Sequence, residues 1–284
     1  MTYPNIRPSP IAGTWYPGQP APLRAEISRY LAGVGEPIRE GKLHAIIVPH
    51  AGYYYSGPVA AHAFACLRGL HPDLVAVVSP LHSPHPAAVL TSAYDAYATP
   101  LGPVEVDRKS IARVDQALRP HLGSGLFPLA KDPEHSLEIE LPFLQHLLGE
   151  FHLLPIMLRD QRWETARAVG DALAEVLTGK NVLLVASSDL SHFYPQPVAK
   201  KLDGEILSRI EALDPEGIIK ADDEGLGFAC GRGAIAAVLW AACRLGANQA
   251  RVLHHATSGD VNGDFDRVVG YGAAVVLEVN TSHT

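Results

Sequence analysis

The sequence is that of a three-layer α/β/α domain built on a largely parallel sheet, and three observations lead there. Short, mostly apolar runs recur at 45–48, 74–78, 151–158 and 181–187. They lack the alternation of a strand with one wet face, so they read as strands covered on both sides. Between them lie stretches with the i, i+3, i+4 apolar spacing of amphipathic helices, and that alternation of element types is the pattern of βα units. No linker, repeat or low-complexity tract interrupts the 284 residues, so one domain over 1–284 is expected.

Taken in order, residues 1–20 are too rich in Pro for helix. Trp15 and Tyr16 gain by burial, so this stretch is expected to lie extended on the domain. A helix over 22–34 turns Leu23, Ile27, Tyr30 and Leu31 to one face. The strand at 45–48 stops at Pro49, which cannot donate to a ladder. His50 then sits just past the strand's carboxyl end, where open α/β sheets bind ligands. Gly52 permits a sharp turn, and Ser56 is placed to cap a helix over 58–70. The strand at 74–78 repeats the design, ending in Ser79-Pro80-Leu81-His82. If these two strands are neighbours, His50 and His82 stand side by side. Cys66 and Cys243, inside helices, read as core cysteines.

A small strand pair is expected from 88–91 with 104–106, then a helix over 108–118. The stretch 134–148 reads as a helix on which His135 and Glu138 share a face lining a pocket, while Glu140 belongs to a solvated side. The strand at 151–158 and a helix over 161–178, stopped by Gly179, lead to the strand at 181–187. That strand runs into Ser188-Asp189-Leu190-Ser191-His192, where Asp189 is placed to orient the His192 ring. Helices over 197–213 and 215–223 follow. Cys230 then lies on a glycine-rich loop opening a helix over 233–245, where the helix start and Arg232 would favour thiolate. A strand at 251–256, with His254 and His255 as packing or surface residues, and a last strand at 268–279 close the chain.

Charge and composition narrow the function. Thirty acidic residues stand against 23 basic ones, a net charge of −7, and no run of like charge occurs. Nucleic acid and anionic membrane both demand clustered Lys and Arg, so neither is an expected partner. No stretch approaches the roughly 20 apolar residues of a membrane span. Met1-Thr2-Tyr3-Pro4 does not open a signal peptide. Three cysteines make no disulfide framework, and the expected compartment is the cytoplasm.

Three histidines, His50, His82 and His192, each follow a buried strand, and Cys230 lies on a loop. Two histidines and a cysteine make a three-ligand metal site with room for a further ligand. His192 would then move a proton to or from that ligand. A Ser-His-Asp triad from Ser191, His192 and Asp189 lacks a nucleophile elbow. Trp15, Tyr16, Tyr53 and Tyr54 are candidates for the pocket wall, beside His135 and Glu138.

The ordered set of motifs has a family likeness. Arg7-Pro8, Ala12-Gly13 with Trp15-Tyr16-Pro17, Pro49-His50-Ala51-Gly52-Tyr53, Ser79-Pro80-Leu81-His82, Glu134-His135-Ser136-Leu137-Glu138, Ser187-Ser188-Asp189-Leu190-Ser191-His192 and Cys230-Gly231-Arg232 together resemble the MEMO family. Its bacterial and archaeal members carry the name AmmeMemoRadiSam system protein B. The likeness runs from residue 7 to about residue 276, with one departure at Pro80-Leu81-His82, where relatives often read Gly-Pro-Ser-His. The family is similar in fold to LigB-type class III extradiol dioxygenases, which hold Fe(II) with two histidines and a carboxylate. The resemblance implies His50 and His82 as metal ligands, Cys230 in the carboxylate's place, and His192, with Asp189 beside it, as the acid/base. It implies one divalent metal, Fe(II) first, with Cu or Zn admitted by the softer thiolate. The expected activity is an oxidoreductase using dioxygen on a small aromatic or phenolic substrate. Two other readings stand beside it. One is an adaptor that uses the same pocket for phosphotyrosine-like ligands, as eukaryotic relatives are regarded; the other is a hydrolase using Cys230 and His192. A homo-oligomer is left open.

Overall fold

The computed structural model describes residues 3–280; the expectations for Met1, Thr2 and the last four residues fall outside them. The chain runs β1 (Ile6–Arg7), α1 (Pro20–Ala32), β2 (Lys42–Val48), α2 (Tyr53–Phe64), β3 (Leu74–Pro80), β4 (Val89–Ser92), β5 (Ala96–Thr99) and β6 (Gly102–Glu105). It continues α3 (Arg108–Leu122), β7 (Phe127–Leu129), α4 (Leu141–Leu148), β8 (His152–Leu158), α5 (Trp163–Leu177), β9 (Val182–Ser187) and β10 (His192–Tyr194). It closes with α6 (Gln196–Glu211), α7 (Pro215–Asp223), α8 (Arg232–Arg244), β11 (Gln249–Thr257), α9 (Gly259–Asn262) and β12 (Val268–Glu278). Among the described residues no helix is long and apolar enough to cross a membrane.

The four long apolar runs form the middle of a nine-stranded sheet, in the order β2-β9-β3-β8, all parallel. Every residue of β3 is buried, as are the last six of β8 and the last five of β2. That is why these strands carry unbroken apolar runs rather than alternation. The flanks are mixed. β12 pairs antiparallel with β2 and also carries β10 and β11, while β4 is antiparallel to β8 and parallel to β7. Helices α1, α2 and α4 pack together on one face, and α3, α5, α6, α7 and α8 cover the other. On that second face α5 and α8 come close at Gly170, where a Cβ would lie 2.8 Å from the Ala237 carbonyl oxygen.

Several local expectations are corrected. β2 and β3 are not neighbours, because β9 lies between them. The helix after His50 begins at Tyr53, not Pro58, and Ser56 does not cap it. The Ser56 hydroxyl donates instead to the Ala51 carbonyl at 2.7 Å, and Pro58 sits inside the helix. Residues 88–91 and 104–106 do not pair. β4 joins the main sheet, and β6 closes a hairpin on β5, turning through Gly102 at φ +120°. That hairpin and β1 make a small separate sheet, with Ile6 opposite Ala96. It ties the proline-rich arm to the body; Arg7 and Tyr16 are buried, whereas Trp15 is 37% exposed and residues 11–16 turn through Gly13 at φ +85° rather than running extended. The stretch 134–148 is not one helix. Residues 138–140 form a single 3₁₀ turn, and α4 starts only at Leu141. Glu140 is therefore not on a solvated face; it is 1% exposed.

Candidate metal centre

The site assembles at the carboxyl rim of the parallel strands. Val48 of β2 lies opposite Ser187 of β9, and Val78 of β3 opposite Ala186, so the three strands end level. Pro49 and Pro80 stop two of them, and the loops that follow carry His50 and His82 to the same spot. Their rings meet edge to face with centroids 5.3 Å apart, although a strand separates their own strands. Cys230 arrives from the turn before α8. That turn is pressed on the rim: the Cys230 N–H donates to the Asp189 carbonyl at 3.1 Å and the Gly231 N–H to Ser188 Oγ at 2.8 Å. Only glycine fits at 231, since a Cβ there would stand 2.5 Å from the Ser187 carbonyl oxygen. The outcome is that donor atoms of His50, His82 and Cys230 all lie within 4.8 Å of one another, with His50 Nε2 3.1 Å from Cys230 Sγ.

Both imidazoles have the tautomer a metal ligand needs. His50 Nδ1 lies 3.0 Å from Ser187 Oγ. The Ser187 hydroxyl has one proton, and it already faces the Ser136 carbonyl at 2.6 Å and the Glu140 carboxyl at 2.8 Å. Its proton is taken there, so His50 Nδ1–H is the donor and the Nε2 lone pair faces Cys230. Burial, with Asp189 nearby, pushes the Glu140 pKa well up. His82 is fixed by a carboxylate. Its Nδ1–H donates to Glu134 Oε1 at 2.9 Å and its backbone N–H to Oε2 at 2.7 Å. Glu134 also accepts the His135 and Ser136 N–H groups at 3.0 Å. Burial works against ionising Glu134, but the hydrogen bonds and charge from His82 and the backbone donors outweigh it and hold its pKa low. With both oxygens committed, Glu134 orients His82 and has little left to offer a metal.

Asp189 has a different task from the one its spacing suggests. Its Oδ1 accepts the backbone N–H groups of His50 and Ala51 at 2.7 and 3.2 Å, so it shapes the His50 loop and does not touch the His192 ring. Burial pushes its pKa up to about 7, against those two hydrogen bonds. Asp189→Asn is therefore expected to keep metal affinity within a few-fold, since an amide oxygen accepts the same two bonds. A change on the scale of roughly 10- to 100-fold in a chelator competition would restore a direct role for its charge. Ser187→Ala is the contrasting case. It strips His50 Nδ1 of its acceptor, and metal affinity should fall by roughly 10- to 100-fold in the same assay; unchanged affinity would remove Ser187 from the support of His50.

The remaining site candidates divide. His135 belongs to the cluster: its ring stacks on His82 (4.9 Å, 17°) and meets His50 edge-on at 5.4 Å. Burial lowers its pKa to about 4. Trp15 covers it at 4.3 Å. Tyr16 stands behind, buried, its hydroxyl donating to Glu138 Oε1 at 2.7 Å. Glu138 does not line the pocket with His135. It is fully buried and taken up by Arg7, Ser9 and Tyr16. Tyr54 is 62% exposed and packs against Tyr55, away from the wall expected of it. Tyr53 is buried, its hydroxyl on the Ile139 carbonyl. His192 comes near enough for His82 to lower its pKa, after burial. Its Nε2 is a buried atom with no hydrogen-bond partner among the described residues. Arg232 does not serve the thiol; it pairs with Asp222 and Asp223. Burial and Asp189 push the Cys230 thiol well up.

The sequence reading missed Ser187, Glu134, Glu140 and Arg7 as parts of the site. Glu134 lay in plain sight, next to His135; the others bond across 47 to 137 positions of chain. The set fits a small divalent ion: two imidazoles whose Nδ1–H groups are committed outward, one thiol, and an orphaned imidazole nitrogen close by; the hydrogen bond to Glu134 raises the His82 pKa, so an ion would displace its Nε2 proton.

Comparison with known proteins agrees with the motif pattern. A family model described as "Memo-like protein" matches residues 7–275. A MEMO1 family protein of Methanopyrus kandleri is 37% identical over 283 residues, covering 93% of this chain and 96% of the relative. A MEMO1 family protein of Nitrosopumilus maritimus is 36% identical, covering 94% and 98%. Among solved structures, an uncharacterized protein from Escherichia coli K12 superposes with a TM-score of 0.53 at 13% identity, covering 82% of this chain and all of that one, a likeness of fold alone.

Proposed function

From the premise that the chain belongs to the Memo-like protein family, we propose that it is a mononuclear metal-dependent oxidoreductase acting with dioxygen on a small aromatic or phenolic molecule. The observation that carries the reading is the pair of histidines whose Nδ1 protons are committed to Ser187 and Glu134, leaving two Nε2 lone pairs to converge with Cys230 Sγ. His50, His82 and Cys230 would hold the ion, Fe(II) first, with Cu or Zn as alternatives that a thiolate also suits. Bound there, the metal would lower the pKa of a coordinated hydroxyl and bring substrate and dioxygen together.

The chain's own groups supply the rest. Burial lowers the His192 pKa, and its Nε2, without a hydrogen-bond partner among the described residues, would take the proton of a phenolic hydroxyl. Trp15 and His135, tilted at 47° with ring centroids 4.3 Å apart, offer an aromatic wall against which a ring can lie. The thiol–imidazole contact of Cys230 and His50 argues against a hydrolase. Burial raises the thiol and lowers the imidazole, which works against the thiolate–imidazolium form a hydrolase would use. Elemental analysis of protein purified without oxygen, followed by oxygen uptake with phenols, catechols and indoles, tests the proposal. Near-stoichiometric metal with turnover of one of these classes is expected. Metal without turnover would favour the pocket-binding adaptor, and absence of metal would end the reading.

A further inference from the structure

We propose that the chain carries a second ligand site, at the opposite edge of the sheet, for an organic anion with an apolar body. A cavity of about 850 Å³ opens there, among the first residues of β2 and β9 and the end of β12. This is a volume typical of small-molecule sites. Its apolar side includes Leu183, Val275 and Cys66, all buried. Its rim carries Arg39, Arg68 and Lys180.

Among the described residues those three cations have neutral partners only. Arg39 Nη1 donates to the Arg68 carbonyl at 3.0 Å, Arg68 Nη2 to the Leu31 carbonyl at 3.0 Å, and Lys180 Nζ to Ser110 Oγ at 3.4 Å. Of the carboxylates nearby, Glu278 faces His44 at 3.0 Å and Lys42 at 3.9 Å, and Glu40, which lies on the cavity rim beside Lys42, faces Arg251 at 3.4 Å. Among the described residues no ion pair reaches Arg39, Arg68 or Lys180. The carbonyl contacts hold the guanidiniums in place without neutralising them. Compensation of helix carboxyl ends accounts for Arg68 on Leu31 at the end of α1. It does not account for three uncompensated cations around one cavity in a chain of net charge −7. Guanidinium pairs with the planar or tetrahedral oxygens of carboxylate, sulfonate or phosphate. The buried floor then takes a ring or short acyl chain. The site is remote from His50, His82 and Cys230, so it stands apart from the metal chemistry.

The probe is 8-anilinonaphthalene-1-sulfonate, titrated into the intact protein. One saturable site weakened by salt is expected, with Arg39→Ala/Lys180→Ala reducing affinity by at least about tenfold at unchanged thermal midpoint and metal content. Should the double variant fold poorly, each single variant is read alone, with a smaller loss expected from each. Decyl sulfate should displace the dye, whereas decanol and inorganic phosphate should not. No saturable binding, or equal dye affinity in the variants, overturns the site. Displacement by decanol overturns the anionic head, and displacement by phosphate at matched concentration overturns the apolar body.

Discussion

Cys230→Ser is expected to abolish binding of the proposed metal and to keep the fold. A serine hydroxyl is a hard, protonated donor at neutral pH, whereas the thiolate of a ligating cysteine is the soft third arm of the site. The loss of affinity should exceed the roughly 10- to 100-fold that removal of an outer hydrogen-bond partner costs. Stability of the metal-free protein should change little. A newly buried hydroxyl costs about 1–3 kcal/mol when it lacks partners, but Ser188 Oγ and the Asp189 carbonyl already lie within 3.9 and 3.5 Å of the sulfur. The core packed around the sheet does not pass through this atom. Alkylation gives the companion readout. Cys230 should be protected while metal is bound and react after chelation, while Cys66 and Cys243 keep one rate in both states. Full metal content in Cys230→Ser would mean that the ion is held by other groups.

Arg7→Met is expected to cost about 3–5 kcal/mol in denaturant unfolding, the toll of leaving buried charge unpaired. Arg7 is 1% exposed, and its guanidinium reaches Asp132 at 2.8 Å, Glu138, and the Glu134 carbonyl. It also lies over the Tyr97 ring at 4.8 Å. Both carboxylates are buried, so neither finds water when the cation goes. The loop so anchored carries Glu134, the partner of His82, and metal affinity should weaken alongside stability. Arg7→Met/Glu138→Leu should regain part of the loss, because it removes one stranded charge. A cost below about 1 kcal/mol would be the figure for a solvated surface pair, and the buried network would have to be given up.

What the sequence disclosed follows from what is local. Fully covered parallel strands must be apolar at every position, and prolines at 49 and 80 mark where the ladder stops, so the strands and the rim histidines could be read directly. Sheet order could not. β9 inserts between β2 and β3 through pairings spanning more than 100 positions, and no local pattern encodes that. The contact of His50 with His82 was expected from adjacent strands and arises instead from two loops reaching over a third. Glu138 and Glu140 were harder still. By helical spacing Glu138 shares a face with His135 and Glu140 falls on the solvated side. They turn inward because Arg7 and Ser187, remote in sequence, receive them. Asp189, expected to orient the His192 ring, bonds instead to the backbone N–H groups of His50 and Ala51, which a side-chain pattern cannot announce.

The most direct test is X-ray absorption at the metal edge of protein purified and loaded with Fe(II) under anaerobic conditions. A coordination shell of one sulfur and two imidazoles, with the sulfur lost in Cys230→Ser, is the result expected of His50, His82 and Cys230 acting together. A shell of nitrogen and oxygen alone in the unaltered protein would contradict it.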